Sequence, residues 1–420
     1  MDLIPVRRRM PRAIPIPFVS LLHSQAPLPL LLALAGAAVL GTTACDDSVG
    51  LADPVEPEVR TVQGVTTDVA AIIGTFASGP MHRPFLLESL AEFETYYGGI
   101  HPLHEASFHV RAFFQNGGRQ IWVSRASAPT VAGLLGNGGS GRGLLALEEA
   151  NRFNTLMVPE LFSEPGIQDR ISAAATAITY AASRDAMMLL DPPWEITGAS
   201  DLIDWVKASG TALRSRHAAL YFGRIEVPGG GVSGGTRWIG ASGAAAGIQA
   251  WNDRERGVWA APAGPGVPAL AGVLDTTPLT VQEREALNTQ QIISLLSTPP
   301  RIWGARTLLS GQSPFTYLNV QRLTLHVEAL VRDTLRWARG KPMEPELWAQ
   351  ARSETEKVIH ALWLKGAFQG TQPQEAYFVR CDASTHNSQD IAAGRLQVHV
   401  GFAPLKPGEF VVRIITLELR

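Results

Sequence analysis

The chain has 420 residues, with 36 Lys and Arg against 38 Asp and Glu, a net charge of −2 and two cysteines. That length exceeds what a single core usually fills, so two domains are expected. The balanced charge offers no counterion-release footprint for a nucleic acid. Cys45 and Cys381 alone support neither a disulfide framework nor a cysteine zinc site. Arginine outnumbers lysine 31 to 5. We read this as composition bias in the gene, although arginine's planar fork also suits subunit interfaces.

Residues 1–45 carry Arg7, Arg8, Arg9 and Arg12, then an uncharged apolar run at 28–41 and Thr42-Thr43-Ala44-Cys45. The run is too short for a confident membrane span but has the form of a signal-peptide core, and Cys45 loosely matches a lipoprotein cleavage site. We expect a start site assigned too far upstream, with a real export signal or membrane anchor as the alternative. Residues 46–63 combine prolines, acidic groups and scattered valines, which cannot make a core, and are expected to form an extended arm.

From Val65 apolar strands alternate with amphipathic helices. Strands are predicted at 69–77, 119–126, 153–159, 186–193 and 217–227, and helices at 89–97, 105–115, 144–150, 168–183, 200–214 and 240–252. Ser89 and Glu92 make a capping box, Gly98-Gly99 a stop, and the 240–252 helix is rich in small residues suited to close packing. Continuously apolar strands separated by helices predict a mostly parallel sheet covered on both faces. The Pro- and Gly-rich stretch 261–278 is expected to be a hinge, dividing an α/β domain (64–275) from a smaller α+β domain (276–407). The second domain has predicted helices at 319–338 and 345–366 and strands at 376–382 and 394–402. A period-two strand at 408–419 runs almost to the terminus.

Candidate chemistry is thin. Gly136, Gly138 and Gly141 have dinucleotide-loop spacing, but no strand leads into the helix they should cap and no acidic residue follows at the right distance. His101, His104 and His109 beside Glu105 lack helical metal spacing and are expected at the surface or in a cap. Ser242 in GASGA has no evident histidine partner, and the motif lacks the last glycine of a nucleophile elbow. Asp191 ends a strand where ligands often bind in parallel sheets; we read it as a structural turn. An α/β enzyme or small-molecule binder using that end of the sheet is the alternative function.

Several motifs in fixed order carry a resemblance. They include GVTTDVAAIIGTFASGP (64–80), FFQNGGRQIWVSR (113–125), MLLDPP (188–193), ASGAAAG (241–247), RGVWAAPAG (256–264), IWGARTL (302–308), YLNVQRL (317–323), YFVRCD (377–382) and APLKPGEFV (403–411). Over about residues 56–420 the chain resembles the contractile tail sheath proteins of phages and phage-like injection machines. It departs from their pattern at Ala338–Glu344 and at Ile293-Ser294, so a locally rebuilt connection is expected near 340.

The resemblance implies a structural protein that is not an enzyme and needs no cofactor or metal. Its subunits stack as rings around an inner tube, with baseplate and terminator or cap proteins as further partners. They are assembled in the cytoplasm into a phage tail or tail-like particle, with a membrane partner only if the N-terminal segment is real. Terminal arms of neighbouring subunits complete a shared sheet. The residues implied are Glu56, Val59, Arg60 and Val62 in one arm and Phe410, Val411, Val412, Ile414, Ile415 and Leu417 in the other. The motif residues Trp259, Pro262, Gly264, Trp303, Gly304, Arg306 and Thr307 are expected to be structural, with Trp303 a core anchor, Gly304 a site of close backbone approach and Arg306 a buried or interface ion-pair donor. The 345–366 helix, with Glu354, Glu356, Lys357 and Lys365, is assigned to the tube.

Overall fold

The computed structural model describes residues 64–136, 142–164, 169–229, 234–405 and 411–419. The expectations for segment 1–45, for the arm at 46–63 and for loop positions 137–141 lie outside them. Strand β1 (Val69–Gly74) is buried throughout, and its side chains alternate between the cores on the two faces of a sheet. β2 (Phe85–Leu87) is a short strand not foreseen from the sequence. Helix α1 (Leu90–Tyr97) begins where the Ser89 side chain accepts the Glu92 amide at 3.2 Å and ends at Gly98 in the left-handed region. α2 (Glu105–Gln115), β3 (Gln120–Arg125) and the short α3 (Val131–Leu135) follow.

In place of the α-helix expected over 144–150, residues 143–149 form a 3₁₀ connector; so short a segment gains little from α-helical bonding. Next come β4 (Thr155–Met157), α4 (Glu160–Ser163), α5 (Arg170–Ser183), β5 (Met187–Leu190), α6 (Ala199–Ala208) and β6 (Ala218–Phe222). The strand expected over 217–227 is broken at Gly223, whose φ of 115° turns the chain out of the sheet. Its second half, β7 (Ile225–Pro228), pairs instead with β8 (Thr236–Ile239) and β9 (Asp275–Thr276) in a small antiparallel sheet. α7 (Ser242–Glu255) is the small-residue helix, and a Cβ on Gly243 or Gly247 would lie 2.5 Å from the carbonyl oxygen of His109 or Phe113 in α2. The two helices therefore pack almost backbone to backbone.

After α8 (Val281–Thr289), β10 (Ile293–Ser297) and β11 (Pro300–Trp303) return to the main sheet. Its eight strands run in the order β11-β10-β6-β5-β4-β1-β3-β2. The inner pairs are parallel, and only the edge pairs β10–β11 and β2–β3 are antiparallel. The sheet thus draws two strands from beyond residue 275. Nor does 261–278 hang between sheets: the Leu270 amide donates to Pro300 O and the Leu274 amide to Glu226 O, each at 2.8 Å.

A third core lies among α9 (Leu318–Thr334), α10 (Pro345–Leu364), α11 (Pro373–Ala376), α12 (Ser388–Ala393) and a sheet ordered β12 (Tyr377–Arg380), β13 (Arg395–Phe402), β14 (Val411–Glu418). Val320, Leu323, Val327 and Val331 bury the face of α9 that its spacing predicts.

One ion pair joins these layers. Arg322 of α9 grips Asp253 of α7 through two parallel bonds of 2.8 and 2.6 Å, and its Nη2 also donates to Thr67 O, at 3.1 Å, just before β1. Both side chains are almost wholly buried, at 3% and 1% exposure. Removing one member strands a buried charge, so Arg322→Ala should cost about 3–5 kcal/mol in urea unfolding, and Arg322→Met with Asp253→Leu should recover much of it. A loss below about 1 kcal/mol would show the pair to be dispensable.

Candidate subunit-linking surface

The C-terminal strand is built with period two. Val411, Ile415 and Leu419 turn into the third core. Arg413, on the same face, ion-pairs with Glu328 of α9, and Glu328 also faces Arg332 at 3.4 Å. On the other face Val412 and Ile414 are 52% and 56% exposed. An eight-residue register, Arg395↔Glu418 to Phe402↔Val411, fastens β14 to β13, and the strand's far edge has no partner among the described residues. Its C-terminal end is strapped: Leu419 N donates to Gly394 O at 2.9 Å, and Gly340 N donates to Leu419 O at 2.7 Å. Gly340 lies within the stretch where the sequence departs from the sheath pattern. An eight-residue edge strand without proline or lysine, showing two bare aliphatic side chains, is unblunted and open to pairing.

Of the residues expected in the arms, Val411, Val412, Ile414, Ile415 and Leu417 lie in this strand, whereas Glu56, Val59, Arg60, Val62 and Phe410 fall outside the described residues. The motif residues are elsewhere. Trp259 is half-buried against the third core and its carbonyl accepts from Asn319 at 2.9 Å; Pro262 is buried, and Gly264 O accepts from Arg301 at 3.2 Å. Trp303 is not a core anchor: it is 43% exposed, because β11 is an edge strand and Ile302 takes its inward position. Gly304 is needed for its φ of 103°, not for close approach, since a Cβ there would meet nothing nearer than 4.0 Å. Arg306 makes no ion pair among the described residues; it donates to the Asn288 side chain at 2.9 Å and stacks over Tyr317. Thr307 is buried, its hydroxyl donating to Phe315 O at 2.7 Å. Glu328 was missed from the sequence, although an acid on the apolar stripe of α9 was the available signal.

The Asp191 end of the sheet holds a polar cluster the sequence did not reveal. Ser242 does have a histidine partner: its hydroxyl lies 3.0 Å from His109 Nδ1 and bonds Asp191, which also accepts the Ser242 amide at 2.9 Å. His109 Nε2 sits 3.6 Å from Glu105, a Coulombic contact beyond hydrogen-bond range, and Arg237 pairs with Glu105 from the other side. At the neighbouring ends of β1 and β4, Glu160 accepts from the Thr75 amide and hydroxyl at 2.7 Å each, and His104 reaches the same hydroxyl at 2.9 Å. His109 is therefore buried, not superficial. Burial raises the Asp191 carboxyl pKa despite His109 and Ser242. Burial also favours the proton on Glu105, but His109 and Arg237 outweigh it and hold the group low.

These groups match a Ser–His–acid arrangement only in composition. Ser242, His109 and Asp191 are each at most 4% exposed, and the cavity beside them is about 10 Å³, scarcely room for one water. Helix α2 and Glu160 fill the crevice where β1 and β4 part, which is where parallel sheets bind ligands. No group of three metal-binding side chains occurs among the described residues.

No protein-family model and no curated protein matches this chain. Solved structures do. The helical sheath of the anti-feeding prophage in its contracted state is 23% identical, covering 88% of this chain and 99% of that one with a TM-score of 0.66. The sheath complex of the extracellular contractile injection system PVC, also contracted, is 21% identical over 89% and 98%, with a TM-score of 0.65. The sheath tail protein of Listeria innocua is 11% identical over 86% and 97%, with a TM-score of 0.58. The class is thus an α/β plate carrying a small antiparallel sheet, and the fold is that of contractile sheath proteins.

Two measurements test the site. Ile415→Ala should destabilise the fold by about 2–4 kcal/mol and Ile414→Ala by under about 0.5 kcal/mol in chemical unfolding; equal costs would refute the assigned faces. The second concerns Glu160, whose pKa burial pushes up to about 7. A carboxyl that holds its proton more tightly when folded is most stabilising below its unfolded pKa, and that contribution is lost as pH rises towards 7. The thermal midpoint should therefore fall between pH 5 and 8, and Glu160→Gln should flatten the slope; an unchanged slope would acquit Glu160.

Proposed function

We propose that this chain is the structural subunit of a contractile tail sheath. It polymerises with copies of itself as stacked rings around an inner tube and contracts to drive that tube through a target envelope. The observation that carries this reading is the sheath-protein fold over nearly the whole described chain, 86–89% of all residues, joined to an unblunted strand at one edge. The chain is not an enzyme in this reading. The side-chain contact between Ser242 and His109 is sealed from solvent, and the energy for work lies in the difference between two packings of the same subunit.

Baseplate and cap proteins terminate the polymer, and the tube protein is its inner partner. α10 is the tube-facing helix, with Glu356 and Lys365 exposed and Lys357 paired to Glu354 at 2.8 Å. Assembly takes place in the cytoplasm. Among the described residues no helix is long and apolar enough to cross a membrane. The large sheet, with β10 and β11 from beyond residue 275, acts as the rigid body, and the arms 46–63 and 408–420 link subunits by strand addition.

The purified chain should form long tubes by itself in negative-stain electron microscopy. Val412→Asp with Ile414→Asp, both on the exposed face, should leave a folded monomer and abolish the tubes. Point changes are cleaner than deleting the strand, which would strip Ile415 and Leu419 from the core. A wild-type chain that stays monomeric at high concentration sinks the sheath reading, and tubes from the double variant sink the role of this face.

A further inference from the structure

A cavity of about 520 Å³ lies far from the Asp191 cluster, between the N-terminal ends of β1, β4 and β5, one side of α9 and the end of β14. Six arginines line it against Asp185, Asp333 and Glu418. Four of the six are committed: Arg184 to Glu148, Arg322 to Asp253, Arg332 to Asp185 and Arg336 to Asp333. Arg152 and Arg339 form no ion pair or hydrogen bond through their side chains among the described residues. Two buried polar atoms at the same cavity, Thr66 Oγ1 and His326 Nδ1, also lack partners. Burial, with Lys365, Arg152 and Arg322 close by, holds His326 down to about 4, so the imidazole is neutral. Surplus cations and idle hydrogen-bonding groups around a large cleft are what a carboxylate-bearing segment fits.

Such a segment is tethered at the rim. Thr66 and Thr67 line the cleft, and the chain immediately upstream carries Glu58, Glu56 and Asp53 with Pro54 and Pro57, a sequence suited to an extended conformation. From Gly64, six extended residues reach roughly 20 Å. Attachment in the same chain gives an effective concentration in the millimolar range, so modest affinity suffices.

We propose that the cleft is a docking site for the acidic stretch Glu56–Glu58 of the same chain, which parks the N-terminal arm on its own subunit before assembly. This rests on reading residues 46–63 as a linking arm. The test is limited trypsin cleavage after Arg60 in the full-length chain, followed by mass spectrometry below the concentration at which it polymerises. The wild-type bond should be protected. Glu56→Gln with Glu58→Gln, Arg152→Ala with Arg339→Ala, and about 0.5 M salt should each speed cleavage about tenfold or more. The swap Glu58→Arg with Arg339→Glu should restore protection, which separates docking from misfolding. Wild-type cleavage as fast as in the glutamine variant overturns the proposal. Protection that grows with protein concentration overturns it too, and gives the cleft to a neighbour's arm. Tube formation is read separately by microscopy, so failure of the sheath reading and failure of the docking site are distinguishable.

Discussion

The pairing of Arg322 with Asp253 is the constraint on which the arrangement of the two cores depends. Three segments far apart in sequence meet at one guanidinium: the end of α7, the middle of α9 and the entry to β1. Apolar burial alone would let α9 slide along the sheet, because Leu and Val contacts are tolerant of register. A bidentate bond between buried planar groups is not tolerant, and it fixes one position. The third core and the C-terminal sheet then take their places relative to the large sheet through α9.

The large sheet resembles, in layout, those that bind nucleotides or small metabolites, yet its ligand end is occupied by the protein itself. Helix α2 lies across it, and the charges of Glu105, Glu160, Asp191 and Arg237 are consumed by neighbours. Such a network favours a single rigid packing, and its one unmet group among those described is His109 Nε2, 3.6 Å from Glu105. The ligand end is thereby closed by protein groups and offers no open pocket.

Much of the fold was legible. Strands buried on both faces leave unbroken apolar runs, and β1, β5 and β6 were read from them. Helices α1 and α2 were marked by Ser89, Gly98 and the Asn116-Gly117 stop. What escaped depended on tertiary context. The sequence at 217–227 reads as one strand because nothing local shows that Gly223 turns the chain into a different sheet. Trp303 reads as core because large aromatics usually are, and only the sheet order reveals an edge. The partnership of Ser242 with His109 spans more than a hundred residues and has no local signature. The linking surface was half legible: the alternation of 411–419 was plain in the sequence, whereas the Arg413–Glu328 anchor needed α9 in place.

The strap on β14 has a kinetic consequence. A strand whose inner side chains are already buried, whose arginine is already paired and whose last carbonyl is already held by Gly340 would gain few new bonds from exchange with another copy. Such an exchange is close to thermoneutral, as domain swaps are, and its rate is set by peeling the old hairpin apart. Freeing β14 from this edge would therefore begin with a slow opening step, set by the hairpin and its strap and not by whatever captures the strand.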